Sequence, residues 1–182
     1  MPNEILLGVS GGIACYKAAA LCSKLAQDGF SVSVIMTQSA NQFIGAATFE
    51  ALSGRKVCDS VFDSARPLGA HIELARQADL FLIAPATANF IGKVANGIAD
   101  DLLTATVLSF TKQIYFAPAM NVEMWGKSSV QRNVDRLQKD GLRMIGPGTG
   151  WQSCREQGVG RMSEPDEIYE VISAAFPNRT LS

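Results

Sequence analysis

The stretch that most limits what this chain can fold into is its first strand, turn and helix. Ile5-Leu6-Leu7-Gly8-Val9 is almost wholly apolar, as expected of a strand covered on both faces of a parallel sheet. Ser10-Gly11-Gly12 turns the chain, and a helix is predicted over Ile13 to Gln27 with Asp28-Gly29 as its stop. Ser31 to Met36 reads as the next strand. Parallel neighbours need such a crossover, so the segment is a βαβ unit with an anion site at its helix N-terminus.

The turn residues narrow the choice of anion. Gly8-Val9-Ser10-Gly11-Gly12-Ile13 lacks the G-x-G-x-x-G spacing of a dinucleotide fold, and no G-x-x-x-x-G-K-[ST] loop for a triphosphate is present. The second strand ends in Thr37-Gln38-Ser39, where an NAD site usually offers an acid to the ribose. Hydroxyls of Ser10, Thr37 and Ser39, with the N–H groups around Gly11 and Gly12, suit one phosphate ester, and FMN fits better than NAD. The same glycines also fit a turn required only by tight packing.

Further along, two apolar strands end in similar turns. One reads Ile83-Ala84-Pro85-Ala86-Thr87-Ala88-Asn89 and the other Phe116-Ala117-Pro118-Ala119-Met120-Asn121, followed by Met124-Trp125. Proline stops each strand, small residues let a ligand approach the backbone, and each turn presents an asparagine. Turns of this kind lie at the carboxyl edge of a parallel sheet, where ligands bind, so one site lined by both is expected. Asn121 equally fits a plain helix N-cap.

Strand and helix alternate through the rest of the chain. Helices are predicted over Asn41 to Leu52, His71 to Gln77, from Thr87 to about Asn96, Leu102 to Phe110, Lys127 to Lys139 and Asp166 to Phe176. Asp79 to Pro85, Gln113 to Ala117 and Leu142 to Ile145 read as strands, with a short one near Lys56-Val57-Cys58. The segment 146–162 carries five glycines, Pro147, Trp151 and Cys154-Arg155, and is too long for a plain connection, so a substrate clamp is expected. The expectation is one domain over 1–182: a three-layer, Rossmann-like α/β fold with a mostly parallel sheet.

Composition excludes several functions. Lys+Arg of 16 against Asp+Glu of 17 gives a net charge of −1 with no basic stripe, which argues against nucleic acid. The four cysteines form no Cys-x-x-Cys pair and His71 is the single histidine, so no zinc site is expected and a reduced, cytoplasmic setting is. Cys15 and Cys22 sit seven apart on one predicted helix and read as core. A chain running from Met1 to Ser182 in this pattern is expected to carry no signal peptide, membrane span or fused ligase. The hydrophobic share of 47% and mean hydropathy of +0.12 point to apolar surface that meets another subunit.

Taken together, Gly11-Gly12-Ile13-Ala14 with Tyr16-Lys17, His71-Ile72-Glu73-Leu74, Ala84 to Asn89, Gly97 to Thr104, Pro118 to Asn121 with Met124-Trp125, and Gly158-Val159-Gly160-Arg161-Met162 resemble the flavin-containing cysteine decarboxylase family. The pattern is nearest to those members that decarboxylate 4'-phosphopantothenoylcysteine in coenzyme A biosynthesis. The resemblance implies FMN held by Gly11, Gly12, Thr37, Ser39, Thr87, Ala88, Asn89 and Ala119, to which the turn's own reading adds Ser10. It implies His71 as base, Asn121 and Met124 as substrate contacts, and Cys154 as the acid on the clamp. It also implies a homotrimer or larger trimer-based assembly with the flavin near subunit interfaces. Lys93, Lys127 and Arg132 are candidates for gripping a substrate phosphate.

The chemistry implied by the resemblance accounts for these residue types. An N-acylated cysteine cannot form a pyridoxal imine, so its decarboxylation needs another electron sink. Two-electron oxidation at the thiol-bearing carbon gives a thioaldehyde, loss of CO2 gives an enethiolate, and return of the electrons with one proton gives the saturated thiol. Family members without a clamp cysteine stop at the enethiol. The chain departs from the family at Arg155-Glu156, where Gly-Asp is usual, and a guanidinium beside a thiol favours thiolate. Phe90 stands where a small or polar residue is commoner. Three other readings stay open: an oxidative decarboxylase of a peptide's C-terminal cysteine, a flavin prenyltransferase, and a flavin-binding regulatory subunit. The Pro118-to-Asn121 turn speaks against the second, and the lack of an acidic tail against the third.

Overall fold

A computed structural model of the chain describes residues 3–63 and 66–177. The terminal segment Arg179 to Ser182, read above as free of an acidic tail, lies outside the described residues. Five parallel strands form the central sheet: β1 (Glu4–Val9), β2 (Ser31–Met36), β3 (Leu80–Ala86), β4 (Ile114–Pro118) and β5 (Arg143–Met144), in the order β2-β1-β3-β4-β5. The chain winds from β1 outward to β2, then returns across β1 to β3. That reversal between β1 and β3 is the topological switch point of an open α/β sheet, where a ligand crevice opens at the carboxyl edge.

Both faces of the sheet are apolar and both are covered. Ile5, Leu7 and Val9 pack with Leu21, Leu25 and Phe49 from α1 (Cys15–Gln27) and α2 (Ala46–Ser53), and with Ile168 and Ile172 of α8 (Pro165–Ala174). Leu6 points the other way, into a core with Leu74 of α3 (Ala70–Gln77), Ile91 of α4 (Ala88–Ala95), Leu103 of α5 (Leu102–Ser109) and Leu137 of α7 (Ser128–Lys139). The alternation of a strand's side chains between two hydrophobic layers explains the unbroken apolar run read in β1. Cys15 and Cys22 are buried in the first layer, where burial alone lifts the Cys22 thiol to about 11.

Four expectations change. The helix expected over 41–52 is a 3-10 turn (Ala40–Gln42) followed by α2, because Gly45 takes an extended conformation that breaks the run. The last strand is two residues long, not four. The segment 146–162, read as a loop, forms an antiparallel hairpin of β6 (Gly148–Trp151) and β7 (Gln157–Arg161), with Cys154 in its tip. Its glycines let the hairpin lie close on the one-turn helix α6 (Val122–Trp125): a Cβ on Gly158 would stand 2.5 Å from Val122 Cγ2. The short strand near Cys58 is a single parallel bridge to Ile35.

Candidate functional site

The turns that follow β1, β2, β3 and β4 meet above the switch point and, with the hairpin, enclose a cavity of about 960 Å3. That is at the upper end of small-molecule pockets, with room for a cofactor and a substrate together. Ser10, Gly11 and Gly12 line it from the first turn, Thr37 and Ser39 from the second, and Thr87, Ala88 and Asn89 from the third. Ala119, Asn121 and Met124 line it from the fourth, and Cys154 reaches it from the hairpin tip. His71 is not among the lining residues.

The turns are stitched to one another. Ser10, 3 % exposed, donates its hydroxyl proton to the Pro85 carbonyl at 2.7 Å and accepts the Thr87 N–H at 3.0 Å. Its hydroxyl is thus engaged in fastening the first turn to the third. Thr87 caps α4 by accepting the Phe90 N–H, and the N-termini of α1 and α4 both open onto the cavity. Two helix ends of this polarity favour an anion there.

The glycines separate by cause. A Cβ on Gly11 would lie 2.4 Å from the Cβ of Ser39, so packing between the first two turns requires that glycine. A Cβ on Gly12 would meet only the Thr87 methyl, at an ordinary 3.5 Å, and would project into the cavity. Packing does not account for Gly12, which borders open cavity where a ligand has room to approach the backbone.

Asn121 is a helix N-cap that also borders the cavity. Its Oδ1 accepts the Met124 N–H at 2.8 Å and caps α6, which leaves the amide NH2 as the polar group to face the cavity. An amide held this way offers donors and suits a carboxylate.

Charged and amide side chains also shape the cavity wall and fasten its hairpin. Lys93 was weighed as a phosphate ligand, but its ammonium is 2.8 Å from Asp100 and 3.5 Å from Asp101. The hydrogen bond to Asp100 holds the Lys93 ammonium above the ordinary lysine range and lowers the Asp100 carboxyl. Its charge is already neutralised, and neither Lys127 nor Arg132 lines the cavity. Lys17, 3 % exposed, donates to the Met162 carbonyl at 2.8 Å and to Glu164 at 3.0 Å, fixing the base of the hairpin to α1. Gln152, also buried, bonds to both the hairpin and α6. Glu164 and Gln152 carry no motif of their own, and only folding brings them to the base and tip of the hairpin.

Around Cys154 the neighbours differ from the sequence expectation. Sγ lies 3.6 Å from Gln152 Oε1 and 3.8 Å from a Glu156 carboxylate oxygen, so oxygens that accept a thiol proton face the sulfur. Arg155 has a φ of 67°, the left-handed region that glycine fills without strain. His71 sits in the first turn of α3, which packs on α5, and its buried Nδ1 has no hydrogen-bond partner among the described residues.

A family model described as Flavoprotein matches residues 2–176. The chain belongs to the flavoprotein family. It is 49% identical over 179 residues to the coenzyme A biosynthesis bifunctional protein CoaBC of Bacillus subtilis (strain 168), covering 98% of this chain and 44% of that protein. Identity to the CoaBC of Mycobacterium tuberculosis (strain ATCC 25618 / H37Rv) is 46% over 168 residues, covering 92% and 40%. The flavoprotein therefore spans less than half the length of these relatives. Among solved structures, a cysteine-to-serine mutant of PPC decarboxylase complexed with pantothenoylaminoethenethiol matches with a TM-score of 0.89 at 30% identity, over 97% of this chain and 99% of that one. The FMN-dependent cysteine decarboxylase SpaF matches with a TM-score of 0.80 at 33% identity, over 94% and 97%. The three-layer, mostly parallel fold expected from the sequence is the fold these neighbours share. Among the described residues no helix is long and apolar enough to cross a membrane, and no cluster of His, Cys, Asp and Glu is arranged to hold a metal ion.

Proposed function

We propose that the cavity holds FMN and that the protein decarboxylates 4'-phosphopantothenoylcysteine to 4'-phosphopantetheine in coenzyme A biosynthesis. The observation that carries this is the meeting, in one cavity, of the Gly12 cradle, the Asn121 amide and the Cys154 thiol. The residues fit FMN: two helix N-termini and the Thr37 and Ser39 hydroxyls serve a phosphate monoester without a free cation, while Ala88, Phe90, Ala119 and Met120 offer small and apolar contacts to a ring. Similarity to CoaBC and to PPC decarboxylase supports the substrate, and similarity to SpaF supports the cofactor.

FMN held there would supply two-electron redox chemistry for the thiol-bearing carbon. Asn121 orients the substrate carboxylate with its NH2 group, and Met124 covers the thiol end. Cys154 gives the final proton, and the hairpin keeps water away from the reactive carbon. His71 takes the first proton, and it does so across a subunit boundary, because it does not line the cavity of its own chain. A homotrimer, as a minimum assembly, brings His71 of one protomer to its neighbour's cavity and gives its orphaned Nδ1 a partner. Leaving a buried polar group unpaired costs ~1–3 kcal/mol, a penalty that such a partner removes. Apolar surface is exposed on and just before α5: Leu108 is 59% exposed, and Ile98, four residues ahead of the helix, is exposed as well. A cytoplasmic setting belongs to the same reading.

Product analysis tests the reading against oxidative decarboxylation of a peptide cysteine. The purified protein, incubated with 4'-phosphopantothenoylcysteine, is expected to release CO2 and form the saturated thiol. A product lighter by two hydrogens, or turnover only of a peptide ending in cysteine, contradicts it.

A further inference from the structure

The hairpin that carries Cys154 is attached at its base by Lys17 and by the Met120 N–H, which donates to the Gly160 carbonyl at 2.9 Å. Its tip is attached differently, through the side chain of Gln152. This amide is 8 % exposed and uses both of its ends: Oε1 accepts the Val122 N–H at 2.9 Å, and Nε2 donates to the Val159 carbonyl at 3.3 Å. The backbone of Gln152 closes the tip as well, donating to the Glu156 carbonyl at 2.8 Å and accepting the Arg155 N–H at 2.9 Å. Val122 directly follows Asn121, the cap of α6. One amide therefore links the two functional segments, the Asn121 turn and the Cys154 tip.

Oε1 has a second acceptor lone pair beyond the one used by Val122, and the Cys154 sulfur stands 3.6 Å from it. We infer that Gln152 is a positioning residue, which sets the height of the Cys154 thiol above the Asn121 turn and keeps the thiol hydrogen directed at an oxygen until the clamp delivers it. The inference rests on the proposed role of Cys154 as acid. An amide suits the task because it must accept from α6 and donate to β7 at once. A glutamate at this place could accept but not donate, and a leucine could do neither.

The test uses the FMN-loaded protein and two readouts. Hydrogen exchange of the tip peptide spanning 149–158 is read without substrate, and the ratio of unsaturated to saturated thiol is read with 4'-phosphopantothenoylcysteine. Gln152→Leu removes both bonds. Val122→Pro removes the N–H and keeps an apolar side chain against Gly158, at the first position of α6, where proline is tolerated and the preceding Asn121 is already extended. Both variants are expected to exchange about tenfold faster at the tip and to shift product toward the unsaturated thiol. Gln152→Glu replaces Gln152→Leu if the latter does not fold. Wild-type exchange in the folded variants overturns the inference, and so does faster exchange with an unchanged product ratio. If the wild-type protein releases no CO2 while the variants still exchange faster, the proposed function is what fails and the tether stands.

Discussion

A Cβ on Gly11 would stand 2.4 Å from the Cβ of Ser39, whereas one on Gly12 would meet nothing nearer than the Thr87 methyl at 3.5 Å. Adjacent glycines in one turn thus differ: packing requires Gly11, while Gly12 borders open cavity. Gly11→Ala is expected to destabilise the FMN-free protein by about 1–3 kcal/mol, as overpacking does. Gly12→Ala is expected to leave that stability within about 0.5 kcal/mol and to weaken FMN binding by at least about tenfold. Thermal melting of the FMN-free variants and a flavin fluorescence titration separate the two.

The placement of His71 outside its own chain's cavity predicts complementation between subunits. His71→Asn and Cys154→Ser are each expected to fail to make the saturated thiol. A mixed assembly of the two contains cavities with Cys154 from one protomer and His71 from another, and it is expected to recover a fraction of wild-type product. No recovery after proven subunit exchange would place His71 within its own protomer's chemistry.

Asp79 ties the start of β3 to β1 and to Lys112. Its carboxylate accepts the Glu4 N–H at 3.0 Å and lies 3.1 Å from the Lys112 ammonium, and the Asp79 N–H donates to the Glu4 carbonyl at 2.8 Å. The bond from Glu4, followed by that from Lys112, lowers the Asp79 carboxyl below its ordinary range. A depressed carboxyl contributes stability above its unfolded value of about 3.9 and loses it as pH falls through the folded value. Asp79→Ala is therefore expected to be less stable at neutral pH, by ~1 kcal/mol after allowance for solvent exposure, with the difference fading below about pH 4. Denaturant melts at neutral and acidic pH measure this.

Arg155 occupies a left-handed conformation at φ 67°. Arg155→Gly removes a side-chain strain of about 1–2 kcal/mol and adds chain entropy to the unfolded state, for a net gain of ~0.5 kcal/mol. A rise in melting temperature is expected, and a fall would show that the guanidinium holds the tip.

Much of the fold is legible along the chain because apolar runs, glycine turns and proline stops are local signals. β1, β2, α1 and the turns at Pro85 and Pro118 lie close to where those signals place them. The candidate flavin contacts border one cavity because they follow the carboxyl ends of β1 to β4, and Cys154 reaches it from the hairpin tip, whereas His71, Lys127 and Arg132 do not line it. What stayed hidden is non-local. Lys17 looks like a surface lysine on a helix until Met162 and Glu164, far along the chain, come to meet it. Lys93 looks free until Asp100 folds back on it. The hairpin hides in a glycine-rich stretch because its pairing depends on what α6 offers it, and strand propensity alone does not reveal it.

The most direct measurement is the visible absorption of the purified protein under anaerobic conditions, before and after one equivalent of 4'-phosphopantothenoylcysteine. The expected result is a flavin spectrum that is oxidised at the start and oxidised again at the end, with one CO2 and one saturated thiol formed per site. A colourless protein that takes up no FMN, or a flavin left bleached beside an unsaturated product, would contradict the account.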